Sequence, residues 1–194
     1  NNNHINCIYE DRAGNIWFGS DDGLNKYSPH KYKFHHIYHI PGNEKTIASN
    51  HITALMPGKG DIIWAGTRGY GLDRIDLRTR QVDHFRHDKE DRASLASDYV
   101  SDLYKDSKGT IWIGLWQGIG FNKYLAAEDS FVLYRYNPAN RKSDWYSDFI
   151  EDAGGTFWVG LWGARGMQEF DRATEQFEPN HFNPLRNRPM DKGI

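Results

Sequence analysis

The stretch "GNIWFGSDDGLNKY" at residues 14–27 decides the fold, because the chain repeats it three more times. The later copies are "GDIIWAGTRGYGLDRI" at 60–75, "GTIWIGLWQGIGFNKY" at 109–124 and "GTFWVGLWGARGMQEF" at 155–170. The tryptophans of the four copies are separated by 47, 48 and 46 residues, and they are Trp17, Trp64, Trp112 and Trp158. A repeat of roughly 40–50 residues is typical of one propeller blade. The sequence therefore predicts one structural unit that occurs four times.

Each copy has room for four short strands. In the second copy these are "HITALM", "IIWAGT", "LDRID" and "QVDHFRHD", joined by connections rich in Gly, Asp and Asn, as hairpins require. No stretch carries a sustained helical period. The predicted fold is therefore all-β: a β-propeller segment of four consecutive four-stranded antiparallel blades. We expect the blades at about residues 3–49, 50–97, 98–143 and 144–182, with a tail or lead-in to a further blade at 183–194.

The composition limits the classes of partner. The chain has 24 Lys and Arg against 26 Asp and Glu, and its net charge of −2 disfavours a nucleic-acid partner. No apolar run is long enough to span a bilayer. The single cysteine, Cys7, excludes a disulfide within the chain.

The turns between the first and second strands are nearly uniform. They read "EDRAGN", "KDSKGT" and "EDAGGT" in the first, third and fourth copies, so that Asp precedes Gly by three residues, and "PGKGD" in the second. Asp can accept hydrogen bonds from the turn backbone, and Gly can adopt positive φ. Calcium needs six to eight oxygen ligands, more than one turn offers, so the turns are interpreted as structural and no metal site is predicted.

One copy resembles a known repeat. "INCIYEDRAGNIWFGSDDGLNKY" at residues 5–27 is similar to the two-component regulator propeller repeat, with its Asp-x-x-Gly-x-x-Trp-x-Gly skeleton, and the resemblance extends over about residues 3–182. The resemblance implies part of a larger, seven-bladed propeller in the periplasmic sensor region of a hybrid two-component histidine kinase. It also implies that the segment is not itself an enzyme and needs no cofactor. Its expected partners are the rest of the sensor chain: further blades, a β-sandwich, a membrane helix and the kinase.

The loops between the second and third strands differ in length and chemistry. They contain Asp21 in the first copy, Arg68 and Tyr70 in the second, "WQGI" at 116–119 in the third and "WGAR" at 162–165 in the fourth. The first strand of each blade begins at the same face of the propeller, next to His4, His51, Tyr99 and Trp145. Variable loops on a constant scaffold are where binding specificity is usually found.

These residues predict a site for an oligosaccharide. Aromatic rings offer flat faces for stacking on sugars, and arginine can pair with the carboxylate or sulfate of an acidic sugar. The candidate ligand-binding residues are Trp116, Trp162, Arg68, Tyr70, Gln117, Arg165, His51, Tyr99, Trp145 and Asp21. No catalytic residue is predicted.

Three alternatives remain open at the level of sequence. The rings at the strand starts, and Trp116 and Trp162, could serve only to pack neighbouring blades. The whole segment could be a structural or dimerisation scaffold, or a propeller enzyme that acts on glycans or lactones. Four blades could close into a ring or form an open arc. The seven-fold geometry of the family favours the arc, whose two apolar end faces we expect to be covered by further protein or by a second copy of the chain.

Overall fold

The computed structural model describes residues 4–28, 35–136, 146–161 and 166–178. Within these residues the secondary structure consists of strands and turns, and no helix is long and apolar enough to cross a membrane. Four four-stranded antiparallel sheets follow one another along the chain, each with its strands in sequence order. The predicted all-β blade architecture is confirmed.

The strand bounds follow the repeat. The first sheet contains β1 (Ile5–Glu10), β2 (Ile16–Ser20), β3 (Gly23–Tyr27) and β4 (His35–Ile37). The second contains β5 (Ile52–Pro57), β6 (Ile62–Thr67), β7 (Leu72–Asp76) and β8 (Val82–Phe85). The third contains β9 (Val100–Lys105), β10 (Ile111–Leu115), β11 (Gly120–Leu125) and β12 (Ser130–Tyr134). The fourth contains β13 (Tyr146–Glu151), β14 (Phe157–Leu161), β15 (Gly166–Asp171) and β16 (Gln176–Phe177).

The innermost strands of neighbouring blades are linked by side chains. β1 packs beside β5, β5 beside β9, and β9 beside β13. Near the start of β1 the amide of Asn6 donates to the carbonyl of Ile52 at 2.9 Å. At the same place in the next blade the Thr53 hydroxyl donates to the carbonyl of Val100 at 2.8 Å. The same inner-edge connection is therefore built twice.

The aspartate of the turn between the first two strands holds the tryptophan of the next strand. Asp11 accepts hydrogen bonds from the backbone N–H groups of Ala13 and Asn15, both at 2.9 Å, and its other oxygen accepts the indole N–H of Trp17 at 2.9 Å. The matching indole bonds are Trp112 to Asp106 at 3.0 Å and Trp158 to Asp152 at 2.9 Å. The repeated motif therefore fixes both the turn and its tryptophan.

The hydrophobic core lies between successive blades. One cluster joins the first and second sheets around Trp17 and Ile63, a second joins the second and third around Trp64 and Val100, and a third joins the third and fourth around Trp112. No core cluster of described residues joins the first sheet to the fourth. The described residues therefore form an arc, and Ile8 at one end and Ile150 at the other are 65% and 52% exposed.

Candidate functional site

The loops that carry the predicted site residues meet at one end of the blades. In the second blade the N–H of Arg68 donates to the carbonyl of His51 at 3.2 Å, and the N–H groups of Gly69 and Gly71 both donate to the carbonyl of Asp98, at 3.0 and 2.9 Å. Gly71 has φ +76°, and a Cβ there would lie only 2.1 Å from the carbonyl oxygen of Phe85. Glycine is required at position 71 because the loop runs so close to the strand beside it.

Two serines fix the starts of the inner strands. The Ser49 hydroxyl accepts the N–H of His51 at 3.0 Å, and the Ser97 hydroxyl accepts the N–H of Tyr99 at 3.1 Å. Each serine belongs to a long loop that follows the outer strand of the preceding blade. Such local hydrogen bonds between a hydroxyl and the backbone are common where a turn is followed by a strand or a helix. His51 and Tyr99 consequently occupy equivalent places in two neighbouring blades.

Asp21 joins the first blade to the second through its carboxylate. Asn6 donates to one of its oxygens at 3.0 Å, and His51 Nε2 lies 3.2 Å from the same oxygen. His4 Nδ1 lies 3.3 Å from the other oxygen. The hydrogen bond from Asn6 lowers the pKa of Asp21, and the neighbouring imidazoles of His51 and His4 lower it further. The site therefore carries a fixed negative charge at this end.

Arg68 joins the second blade to the third. Its guanidinium lies 5.2 Å from the ring centroid of Trp116, a cation–π arrangement. Its backbone pairs with that of Tyr99, and the N–H of Trp116 donates to the carbonyl of Tyr99 at 2.9 Å. Trp116 is half-buried. The face of its ring that Arg68 covers therefore packs between blades, which is one of the two roles that the sequence left open.

The structure therefore brings five of the predicted site residues together in one line across three blades. We call this line the loop-face row, and it consists of Asp21, His51, Arg68, Tyr99 and Trp116. Two further candidates, Tyr70 and Gln117, are exposed residues of the same loops, and the carbonyl of Tyr70 accepts a hydrogen bond from Arg86. The remaining candidates, Trp145, Trp162 and Arg165, lie outside the described residues.

Three cavities lie away from the loop-face row. One of about 210 Å³ lies at the opposite end of the first two blades and is lined by residues including Asp11, Ile62 and Leu77; we call it the turn-face cavity. Two others, of about 770 and 580 Å³, are lined largely by residues of the outer strands and of the loop after β4. None of the five residues of the loop-face row lines any of these three cavities.

A pair of carboxyl groups was missed by reasoning from the sequence. Asp102 and Asp148 lie on the innermost strands of the third and fourth blades, where the first two blades have Cys7 and Ala54. Burial raises the pKa of Asp102 to about 7, and the negative charge of Asp148 contributes to the rise. The signal was available, because the aligned repeats read Cys, Ala, Asp and Asp at this position.

The single cysteine is a poor nucleophile in this fold. Burial raises the pKa of the Cys7 thiol to about 11, so the reactive thiolate is disfavoured. Among the described residues, no group of three or more His, Cys, Asp or Glu side chains is arranged to hold a metal ion. The loop-face row can therefore offer stacking surfaces, hydrogen bonds and charges of both signs, all of which suit binding.

Comparison with protein families gives two matches within the chain. The family described as two component regulator propeller matches residues 1–22 and 94–117, which contain the starts of the first and third repeats. No curated protein matches the chain. The resemblance that the sequence motif indicated is confirmed at these two repeats.

Solved structures share the fold at low sequence identity. The extracellular domain of BT4673 from B. thetaiotaomicron, named as a one component system, superimposes with a TM-score of 0.72 at 18% identity, over 91% of this chain and 24% of that one. That of BT3049, from the same organism and named as a hybrid two component system, gives 0.66 at 18% identity, over 92% and 30%. Virginiamycin B lyase from Staphylococcus aureus gives 0.66 at 12% identity, over 90% and 54%.

The chain corresponds to only part of each of these solved domains. It spans about a quarter to a third of the two extracellular domains from B. thetaiotaomicron, and identities of this size establish the fold alone. The four blades and the two sequence matches point to the same architecture. The chain is a segment of β-propeller blades, and two stretches of it, residues 1–22 and 94–117, match the two component regulator propeller family.

Proposed function

We propose that this segment is a non-catalytic, ligand-binding part of the extracytoplasmic sensor region of a two component system, and that its ligand is an oligosaccharide. The observation that carries the proposal is the loop-face row, in which groups from three blades meet in one continuous line of contacts. The family match and the extracellular domains that share the fold support the setting outside the cytoplasm. The neighbouring segments of the sensor chain are its proposed partners.

The chemistry of the row suits an acidic oligosaccharide. Tyr99 and Trp116 have apolar rings that can contact the faces of a sugar, and Tyr70, in the same loop as Arg68, is 52% exposed. Arg68 is exposed and can donate several hydrogen bonds to a carboxylate or sulfate. Asp21 and His51 offer polar groups for sugar hydroxyls. A ligand along the row would contact all three blades.

Such a ligand would act on the packing between blades. The contacts from Asp21 to His51 and from Arg68 to Trp116 each cross a blade interface. A ligand changes the balance between two arrangements only if it binds one of them more tightly. We propose that the oligosaccharide favours one arrangement of the blades, and that the rest of the sensor chain transmits the difference across the membrane.

Glycan binding to single-residue variants tests this proposal. Neutral and acidic oligosaccharides are titrated into the protein by calorimetry, and into the Trp116→Ala and Arg68→Ala variants. Lys108→Ala is the matched control, because Lys108 is exposed in a turn at the opposite end of the blades. We expect both row variants to weaken binding by about tenfold or more, as the loss of a stacking or charged contact does, with the control unchanged. No binding across the panel, or equal binding by all variants, contradicts the proposal.

A structural role is the second candidate, and the exposed ends of the arc favour it. Ile5 and Ile8 on the first blade, and Ile150 and Met167 on the fourth, are exposed large apolar residues. Contacts there with further blades or with a second copy of the chain would make the segment a scaffold or a dimerisation module. An enzymatic role is the third candidate because one lyase shares the fold, and turnover of a glycan or lactone would establish it.

A further inference from the structure

The interface between the first and second blades contains fewer aromatic rings than the other two interfaces. The strand registers define four equivalent positions in each interface. Between the second and third blades these positions hold Trp64, Phe85, Tyr124 and Phe131, and between the third and fourth they hold Trp112, Tyr134, Phe170 and Phe177. Between the first and second blades the tryptophan is kept as Trp17, while the other three positions hold Ile37, Ile75 and Val82. Three rings are therefore replaced by smaller aliphatic side chains.

A cavity of about 580 Å³ lies where these rings are missing, and we call it the outer-strand cavity. Its lining includes all four of the positions just compared, together with Leu77 and residues of the loop after β4. Its volume is within the roughly 300–1,000 Å³ that is typical of sites for small molecules. The outer-strand cavity therefore offers an apolar space of the size of a small ligand.

The other two interfaces each contain an ion pair at the edge of the aromatic cluster. Arg74 Nη1 of the second blade lies 2.7 Å from a carboxylate oxygen of Asp129 in the third. Lys123 Nζ of the third blade lies 2.6 Å from Glu175 in the fourth. The cation comes from the third strand of one blade, and the carboxylate comes from the turn before the outer strand of the next.

The interface between the first and second blades has the cation but not the carboxylate. Lys26 corresponds to Arg74, because each pairs in register with the tryptophan of its own blade. Arg80 stands at the position of Asp129. Both residues end turns of equal length directly before the outer strand, and both have positive φ, +63° for Arg80 and +53° for Asp129. A cation therefore faces a second cation where the other interfaces have an ion pair.

Asp76 also lines the outer-strand cavity, but it does not replace the missing carboxylate. One of its oxygens accepts the N–H groups of Arg78 and Thr79, at 2.8 and 2.9 Å, and thereby holds its own turn. The equivalent residue of the fourth blade, Asp171, holds its turn in the same way although Glu175 is present there. The carboxylate of Asp76 is thus a feature of the turn.

Positive charge predominates around the cavity. Of the described residues that line it, Lys26, Lys45 and Arg80 are cations, and Asp76 is the only carboxylate. Lys26 is half-buried, and its Nζ lies 5.0 Å from the ring centroid of Trp17. Lys45 and Arg80 are exposed. The cavity therefore combines an apolar wall with cations that suit an anionic group.

We infer that the outer-strand cavity binds a small aromatic carboxylate. The carboxylate of the ligand contacts Lys26 and Arg80, in the place that Asp129 has against Arg74. The aromatic part lies against Ile37, Leu77 and Val82, where the other interfaces have rings of their own. A single ligand of this class supplies both the ring and the negative charge that this interface lacks. The site does not rest on the oligosaccharide proposal, since no residue of the loop-face row lines the cavity.

Three small compounds test the class of ligand. The probe is 2-naphthoate, while 2-naphthamide has the same rings without the charge and acetate has the charge without the rings. Titration of 2-naphthoate into the ¹⁵N-labelled protein, in about 0.15 M salt, should shift amide signals of residues 36–40 and 75–82. The other two compounds should each bind at least about tenfold more weakly. Absence of shifts at millimolar 2-naphthoate, or equal binding of either other compound, overturns the inference.

Reversal of one charge tests the proposed contact with the carboxylate. Arg80→Asp gives this turn the residue that the third blade has at Asp129, where the same positive φ is already adopted. The variant should therefore fold and bind 2-naphthoate about tenfold more weakly or worse. Arg78→Asp is the matched control, because Arg78 is exposed in the same turn but does not line the cavity. It should change the affinity by at most about twofold in this salt. Unchanged affinity in Arg80→Asp, or an equal loss in both variants, contradicts the site.

Filling the cavity tests the proposed contact with the rings. Val82→Phe introduces the ring that the third blade has at Phe131, and it should lower the affinity for 2-naphthoate by about tenfold or more. Undiminished binding by the folded variant contradicts the cavity as the site, and Arg80→Asp decides the question if Val82→Phe does not fold. Trp116→Ala should leave 2-naphthoate binding unchanged, which separates this result from the glycan experiment.

Discussion

Asp102 and Asp148 occupy the same position on the innermost strands of neighbouring blades, ten residues before Trp112 and Trp158. Two carboxyl groups placed this way disfavour a second negative charge, and the burial of Asp102 adds to the effect. The result is a pKa of about 7 for Asp102. Over a range of pH this carboxyl is protonated in the folded chain but ionised in the unfolded chain. It therefore lowers the stability of the fold as pH rises, whereas a carboxylate that is paired with a cation raises it.

Stability should therefore contain a component that falls as pH rises from about 4 to about 7. Asp102→Asn removes this component. When the pH is raised from 5 to 8, the free energy of unfolding of the variant should increase by about 2–3 kcal/mol relative to that of the original chain. Urea unfolding at both pH values measures this gain. Glu90→Gln, which changes an exposed carboxylate to an amide, is the control and should show no such gain.

Removing Asp148 gives an independent test of the same pair. Asp148→Asn eliminates the repulsion but not the burial of Asp102, so the pH-dependent component should shift to lower pH without disappearing. An identical pH dependence in the original chain, Asp102→Asn and Asp148→Asn would show that the pair does not interact.

The hydrogen bond from Trp17 to Asp11 should appear as a coupling energy. In a double-mutant cycle with Asp11→Ala and Trp17→Phe, we expect the two losses to be non-additive by about 1–2 kcal/mol, because both variants remove the same bond. Equilibrium unfolding in urea measures the three free energies. Gly58 occupies the aspartate position of the second blade, so Trp64→Phe provides a reference without that bond. Additivity within about 0.5 kcal/mol at Asp11 and Trp17 would contradict the role assigned to the motif.

Arg172 should be the most sensitive charged residue at the interface between the third and fourth blades. Arg172→Met leaves the buried carboxylate of Asp106 without its cation, and we expect a loss of about 3 kcal/mol or more in the free energy of unfolding. Lys89→Met, which breaks an exposed pair with Glu90, should change it by less than about 0.5 kcal/mol. Thermal and urea unfolding compare the two variants, and equal effects would argue against a buried pair.

The ends of the arc should promote association. Sedimentation of the 194-residue chain should show a weight that rises with concentration, because Ile8 and Ile150 present exposed apolar surface at the two ends. The double variant Ile8→Glu and Ile150→Glu should sediment as a monomer. Ile40→Glu, at an exposed loop residue, is the control. If the original chain sediments as a monomer at every concentration, its exposed end faces do not drive association.

The sequence predicted the blades well because the signal is periodic. The tryptophan spacing and the Asp-to-Gly turns recur, and together they place the strands and hairpins. The bond from the turn aspartate to the indole of Trp17 was not foreseen, because a spacing of six residues does not show which way either side chain points.

The sequence indicated which candidate residues share a face but not how they contact one another. Loop variability pointed to one face of the blades, and five of the candidate residues lie side by side there. The sequence left open whether Trp116 packs or binds, because a cation–π contact with Arg68 depends on a loop geometry that no local pattern encodes. The pair of Asp102 and Asp148 was missed because aligned repeats show that both blades carry Asp at this position but not that the two side chains approach each other.

The long loops at residues 39–50 and 87–98 are built alike. The side chain of Asn50 accepts the N–H of His39 at 2.6 Å, and that of Asp98 accepts the N–H of His87 at 2.7 Å. One imidazole nitrogen of each histidine lies 2.9 Å from a carbonyl, of Ile47 or of Leu95. The stretch from His39 to Arg86 therefore begins and ends at equivalent places in two similar loops. Inserting or removing it would keep the hydrogen bonds of the loop, whereas the side chains between the newly adjacent blades would have to be matched anew.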